Sequence, residues 1–132
     1  MKEKVTPLIK EWLSKAKSDL NFARCSFTEF NNFYSQICIL CHDSAEKYLK
    51  AYISVNGINP PKIHDLVTLF RQCLHISKND KGVKRIENKC RKLNFYYIPL
   101  KYPSHYPPLN REKAQEAIKC ADAIERIITK KL

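Results

Sequence analysis

Leu8, Trp12, Ala16, Leu20 and Ala23 recur at spacings of three and four, which draws one apolar stripe along a helix. Thr6 is a suitable N-cap and Pro7 suits a first helical position, so the spacing predicts a helix from about Pro7 to Phe27. A second helix is predicted from about Asn31 to Val55, ending before Gly57. Its apolar positions Phe33, Ile37, Leu40, Ala45, Tyr48, Leu49 and Tyr52 cover more than one stripe, which is the pattern of a central helix covered on several sides. Asp43, Glu46, Lys47 and Lys50 add a charged strip at spacings of three and four, either solvated or facing a partner.

Asn59-Pro60-Pro61 breaks the chain. His64 and Asp65 open a third helix, carrying Leu66, Leu69, Phe70, Cys73 and Leu74 to about Ile76, with Asp65 suited to the positive end of the helix dipole. Val83, Ile86, Cys90 and Leu93 define the apolar side of a fourth helix from about Lys81 to Leu93. Lys81, Lys84, Arg85, Lys89 and Lys92 lie away from that side as a basic face. A connection rich in proline and aromatic residues follows, from Asn94 to Leu109. After Asn110 a last helix turns Ala114, Ala117, Ile118, Ala121, Ile124 and Ile128 inward. The expectation is an all-α protein, an up-and-down bundle of four to five helices forming one domain over residues 1–132.

Composition sharpens this picture. The chain has 132 residues and 44% apolar residues, enough for a core. It has only two glycines, far too few for the turns of an all-β protein or for a glycine-rich phosphate loop. Lys and Arg number 24 against 13 Asp and Glu, a formal charge of +11, which favours polyanionic partners. Met1-Lys2-Glu3-Lys4 leads straight into further charges without an apolar stretch, and Ile37 to Cys41 is too short to span a bilayer. A cytoplasmic protein with no membrane association is therefore expected, with Cys25, Cys38, Cys41, Cys73, Cys90 and Cys120 as reduced thiols in the core.

Three motifs carry candidate chemistry. Cys38-Ile39-Leu40-Cys41-His42 has the form of a covalent haem attachment site. Its cysteines fall mid-helix among apolar residues, and the sole methionine is Met1, so a core reading is preferred. Zinc usually needs two such pairs; neither a cofactor nor a resident metal is expected. Cations of the fourth helix followed by Phe95, Tyr96, Tyr97, Tyr102 and Tyr106 supply what single-stranded nucleic acid or a nucleotide base needs, while the same rings suit packing at the end of the bundle. Lys101-Tyr102-Pro103-Ser104-His105-Tyr106 combines a cation, an imidazole and two phenols on a loop.

His42-Asp43-Ser44-Ala45-Glu46-Lys47-Tyr48-Leu49-Lys50-Ala51 resembles the "A-E-K-x-L-K-A" helix of HEPN domains. Ile63-His64-Asp65-Leu66 with Leu69 resembles their "H-D-L" helix start. Trp12, Ala16, Asp19, Leu20 and Ala23 are similar to their first helix, and Lys101-Tyr102-Pro103 to their "R-Y-P" segment. The ordered set spans nearly the whole chain. The resemblance implies a helical bundle, a homodimer, and frequent pairing with a minimal nucleotidyltransferase, often as a toxin–antitoxin or defence system. Some HEPN proteins are metal-independent RNases with four to six residues between an arginine and a following histidine. That spacing is missing before His42, His64, His75 and His105: Arg71 and His75 have three residues between them, as do Lys101 and His105. Lysine also lacks the bidentate fork of arginine.

The function expected is thus a non-catalytic module that binds a nucleotide or RNA, partners a minimal nucleotidyltransferase, or both. Expected ligand contacts are Lys47, Lys50, Lys101 and Tyr102. Glu46, His64 and Asp65 are site residues or fix the second helix against the third. The alternatives are an RNase, with His105 moving the proton of the ribose 2′-OH and Lys101 stabilising phosphate charge, and an adaptor for an acidic protein.

Overall fold

The computed structural model describes residues 5–97 and 109–132, and these residues contain helices and no strand. The helices are α1 (Pro7–Glu29), α2 (Tyr34–Val55), α3 (Leu66–Ile76), α4 (Lys81–Lys84), α5 (Glu87–Asn94) and α6 (Arg111–Thr129). The all-α bundle expected from the sequence is what the chain adopts.

Most helix starts are set by one side chain. Thr6 Oγ1 accepts from the Ile9 N–H at 3.2 Å, Asp65 Oδ1 from Val67 at 3.1 Å, Asp80 Oδ2 from Val83 at 3.0 Å and Asn110 Oδ1 from Lys113 at 2.9 Å. Each bond satisfies an amide that has no partner within its own helix. The end of α2 is set by Gly57, whose φ of 80° is the left-handed conformation that glycine adopts without steric cost. The Ile58 N–H reaches back to Ile53 and the Gly57 N–H to Ser54, closing the two exposed carbonyls.

The predicted fourth helix is two pieces. α4 is a single turn, and the Ile86 N–H bonds to Val83 three residues back rather than four. This tighter turn eclipses Val83 over Ile86, and both side chains are buried. Asp80 also accepts from Lys131 Nζ at 2.9 Å, which ties Lys131 to the start of α4. The second helix begins at Tyr34 instead of Asn31, because Phe33 takes a φ of 63°, outside the right-handed helical region.

α2 is the axis of the bundle and packs on α1, α3, α5 and α6. Ile37, Cys41, Ala45, Leu49 and Ile53 of α2 meet Ala16, Leu20 and Ala23 of α1, Leu66 and Leu69 of α3, Cys90 and Leu93 of α5, and Ala117, Ala121, Ile124 and Ile128 of α6 in one core. Small residues on α1 let its backbone approach closely enough for the buried Ser44 hydroxyl to donate to the Ala16 carbonyl at 2.7 Å. A polar clasp closes the other side of the same helices. The Arg24 guanidinium bonds Asp122 and, at 2.9 Å, Glu125, while the Tyr48 hydroxyl donates to Glu125 at 2.5 Å. Burial alone would raise the Glu125 carboxyl, but the bonds from Tyr48 and Arg24 outweigh it and hold its pKa below the ordinary value.

Three expected core positions lie elsewhere. Leu8 and Phe33 are exposed. In the first turn of α1 the next residue, Ile9, takes the buried place, so the inward stripe begins one position later than the sequence spacing suggests. Cys25 is exposed, whereas Cys38, Cys41, Cys73, Cys90 and Cys120 are buried. Burial pushes the Cys38 and Cys73 thiols up to about 12 and raises Cys41, Cys90 and Cys120 as well. The two cysteines of the haem-like motif are thus protonated core residues. No helix among the described residues is long and apolar enough to cross a membrane.

Candidate functional site

The charged strip of α2 is neither fully solvated nor left open for a partner. It turns into the bundle, where Glu46 and Lys50 are 8% and 5% exposed. Four residues apart, they meet on one helical face: Lys50 Nζ donates to Glu46 Oε2 at 2.9 Å and lies 5.7 Å from the centre of the Trp12 ring. One turn away, the Lys47 ammonium pairs with Asp19 of α1. Two of the three lysines expected to contact a ligand, Lys47 and Lys50, are therefore each held by a carboxylate of the chain itself.

Glu46 also reaches the segment before α3. His64 Nδ1 lies 3.0 Å from both Glu46 oxygens, and because a carboxylate only accepts, that nitrogen donates. Glu46 and His64 thus join the second helix to the segment that opens the third, the alternative role expected of them, whereas Asp65 bonds within α3 and to α5. Asp65 continues the link. Its Oδ1 accepts from Val67 N–H and from Asn94 Nδ2 at 2.7 Å, and its Oδ2 from Thr68 at 2.8 Å, while Asn94 Oδ1 accepts from the Leu66 N–H at 2.8 Å. Burial opposes the charge of Asp65, yet the bonds from Thr68, Asn94 and Val67 keep its carboxyl below the usual carboxylate value. The start of α3 and the end of α5 are thereby locked together.

His42, four residues before Glu46, completes the arrangement. It is 1% exposed, with Nε2 3.0 Å from the His64 carbonyl and Nδ1 3.1 Å from Asp43 Oδ1. Tyr97 covers both imidazoles, its ring 5.5 Å from His42 and nearly parallel to it, and 5.2 Å from His64. His42, Asp43, Glu46, Lys47, His64 and Tyr97, with Ile39 and Tyr96, line a cavity of about 340 Å³. A larger groove of about 730 Å³ runs past Trp12, Lys50, Lys62 and the Pro60-Pro61 break, and His64 lies between the two. The sequence reading missed His42 and Tyr97 as site residues. The signal present was the i, i+4 spacing of His42 and Glu46, which puts an imidazole and a carboxylate on one face of α2.

The basic face lies apart from this cavity. Lys81, Lys84, Arg85 and Lys92 are exposed and Lys89 is half-buried. Lys92 is 3.6 Å from Glu116, whereas Lys81, Lys84, Arg85 and Lys89 make no ion pair with the described residues. At the end of α5 the Phe95 ring is 57% exposed and lines a shallow depression with Arg91, Lys92 and Lys113. Lys101, Tyr102 and His105 lie outside the described residues.

A long buried helix flanked by α1 and α6, with a short helix started by His-Asp and braced through a buried glutamate, defines a class of small helical bundles. The chain belongs to the HEPN domain family, which it matches over residues 9–132. Its fold is similar to the crystal structure of TT1696 from Thermus thermophilus, with a TM-score of 0.78 and 24% identity, covering 96% of this chain and 100% of that one. It is also similar to the crystal structure of ST0689, an archaeal HEPN homologue, with a TM-score of 0.73 and 24% identity over 99% of this chain and 98% of the other. A comparison with curated proteins found no match.

Proposed function

We propose that this chain is a non-catalytic HEPN module that binds single-stranded RNA on the surface formed by α4 and α5. The observation that carries the reading is the contrast between two sets of lysines. Lys47 and Lys50 are neutralised by Asp19 and Glu46, while Lys81, Lys84, Arg85 and Lys89 stand side by side without a carboxylate partner among the described residues. Cations left unneutralised on one face attract a phosphate backbone and release its counterions. The exposed Phe95 ring, in a depression it shares with Arg91, Lys92, Lys113 and Glu116, offers a stacking platform for a base at the end of that track. RNA rather than a mononucleotide is favoured because these cations are spread along two helices instead of converging on one pocket.

The test is fluorescence anisotropy of a labelled single-stranded RNA in EDTA across a salt series, with the strand's integrity followed in parallel. Binding is expected to weaken steeply with salt. Replacing Lys81, Lys84, Arg85 and Lys89 together by Gln should flatten the slope of log K against log salt by about 3, from about 0.7 per phosphate contact on a single strand. Phe95→Ala should weaken binding by about tenfold. Unchanged affinity and slope in the fourfold variant would overturn the reading. No RNA binding at all would direct attention to a protein partner such as a minimal nucleotidyltransferase, and cleavage in EDTA would show a catalytic module.

A further inference from the structure

We propose that His42, Asp43 and Glu46 form a binding site for a zinc-class divalent cation, with His64 at its rim. The argument begins with hydrogen-bond valence. The His64 carbonyl can only accept, so His42 Nε2 carries the ring proton that bonds it at 3.0 Å. In the singly protonated ring, Nδ1 then presents a lone pair to Asp43 Oδ1 at 3.1 Å. A second ring proton or a metal ion between Nδ1 and Asp43 Oδ1 would satisfy both atoms, and the carboxylate favours either positive charge.

The rest of the surroundings suits a metal in that place. One donor atom each of His42, Asp43 and Glu46 lies within 4.8 Å of the others, and small side-chain rotations bring them to the roughly 2.0–2.2 Å that zinc requires of nitrogen and oxygen ligands. The bond from His42 Nε2 to a backbone carbonyl is the outer contact that metal-ligating histidines usually make, fixing the tautomer and aiming Nδ1 at the ion. Lys50 and His64 share Glu46 Oε2, and Oε1, which accepts only from His64, keeps a lone pair for the ion. His64, half-exposed, stands at the open side with its Nδ1–H on Glu46 at 3.0 Å and braces that carboxylate toward the ion. The imidazole among the donors selects zinc, cobalt, nickel or copper over magnesium and calcium. This set is distinct from the cysteine-based cluster that the sequence pattern suggested, since burial keeps the Cys38 and Cys41 thiols protonated. The site is separate from the basic α4–α5 surface and stands independently of RNA binding.

The experiment titrates the full-length Cys25→Ser protein, which removes the one exposed thiol, with Zn2+ by calorimetry and with Co2+ by visible absorption. One ion per chain is expected, with a rise in Tm on adding Zn2+ and no thiolate-to-cobalt charge-transfer band. Asp43→Asn should weaken binding by at least about tenfold. It should keep the metal-free Tm or raise it, because the new amide donates to His42 Nδ1 where the carboxylate faced it. Lys47→Gln, which lines the same cavity without donating to the ion, should bind as the parent does. Absence of binding, undiminished binding in Asp43→Asn, or a thiolate band would each overturn the proposal.

Discussion

Replacing Asp65 by Ala removes a cap and a tether at once. The carboxylate accepts from the Val67 amide, the Thr68 hydroxyl and the Asn94 amide. Losing an aspartate N-cap costs about 1 kcal/mol. Leaving the Asn94 amide without its partner in a half-buried place costs about 1 kcal/mol more, the low end for an unsatisfied group. The expected loss is therefore about 2 kcal/mol. With a urea m-value of about 1–2 kcal/mol/M for a chain of this size, the unfolding midpoint should fall by about 1–2 M. The pH dependence supplies a second reading. The folded pKa of Asp65 lies below its ordinary value of 3.8, so its contribution is present above the unfolded pKa and disappears as pH falls through the folded one. The gap between parent and Asp65→Ala should be full near neutrality and close progressively below about pH 4. Urea melts followed by circular dichroism from pH 7 to pH 3 test both. A midpoint shift under about 0.3 M, or a gap that stays constant down to pH 3, would refute the assignment of Asp65 as the clasp between α3 and α5.

Two further predictions follow from burial. Glu46→Leu strands the Lys50 ammonium in a nearly dry site and should destabilise by about 3 kcal/mol or more, while the pair Glu46→Leu with Lys50→Met should recover most of that loss in the same urea assay. Titration of the native protein with a thiol reagent at pH 8 should label Cys25 rapidly and the remaining five cysteines only after denaturation, as their burial and raised pKa values require.

Much of the bundle was legible because its punctuation is local. Thr6, Pro7, Gly57 and Asp65 act through the geometry of one or two residues, and each marks its boundary in the structure. The several apolar stripes of the second helix likewise identified the axis of the bundle. The break between α4 and α5 was not legible, since Val83, Ile86, Cys90 and Leu93 fit a continuous helix as well as a bent one. Packing against α6 and the Asp80–Lys131 pair decide between them. The site was half legible for a related reason. Glu46, His64 and Asp65 stood out as residues, but whether a charge on α2 meets solvent or a carboxylate depends on Asp19, 28 positions away from Lys47. Periodicity carries no information about such partners. His42 was not legible because it shares its sequence with a Cys-x-x-Cys-His pattern, while its neighbours in space, the His64 carbonyl and Tyr97, come from distant parts of the chain.

The position of α2 at the axis has a kinetic consequence for the cavity beside it. Amides of a helix covered on several sides exchange with solvent mainly through global unfolding, whereas those of Ile63 and His64, in the segment before α3, exchange through smaller local openings. The cavity is thus built with one slow wall, bearing His42, Asp43 and Glu46, and one faster wall, bearing His64. Anything that binds between them will register in deuterium uptake almost entirely on the His64 side, as protection acquired by a few amides while α2 stays as silent as before.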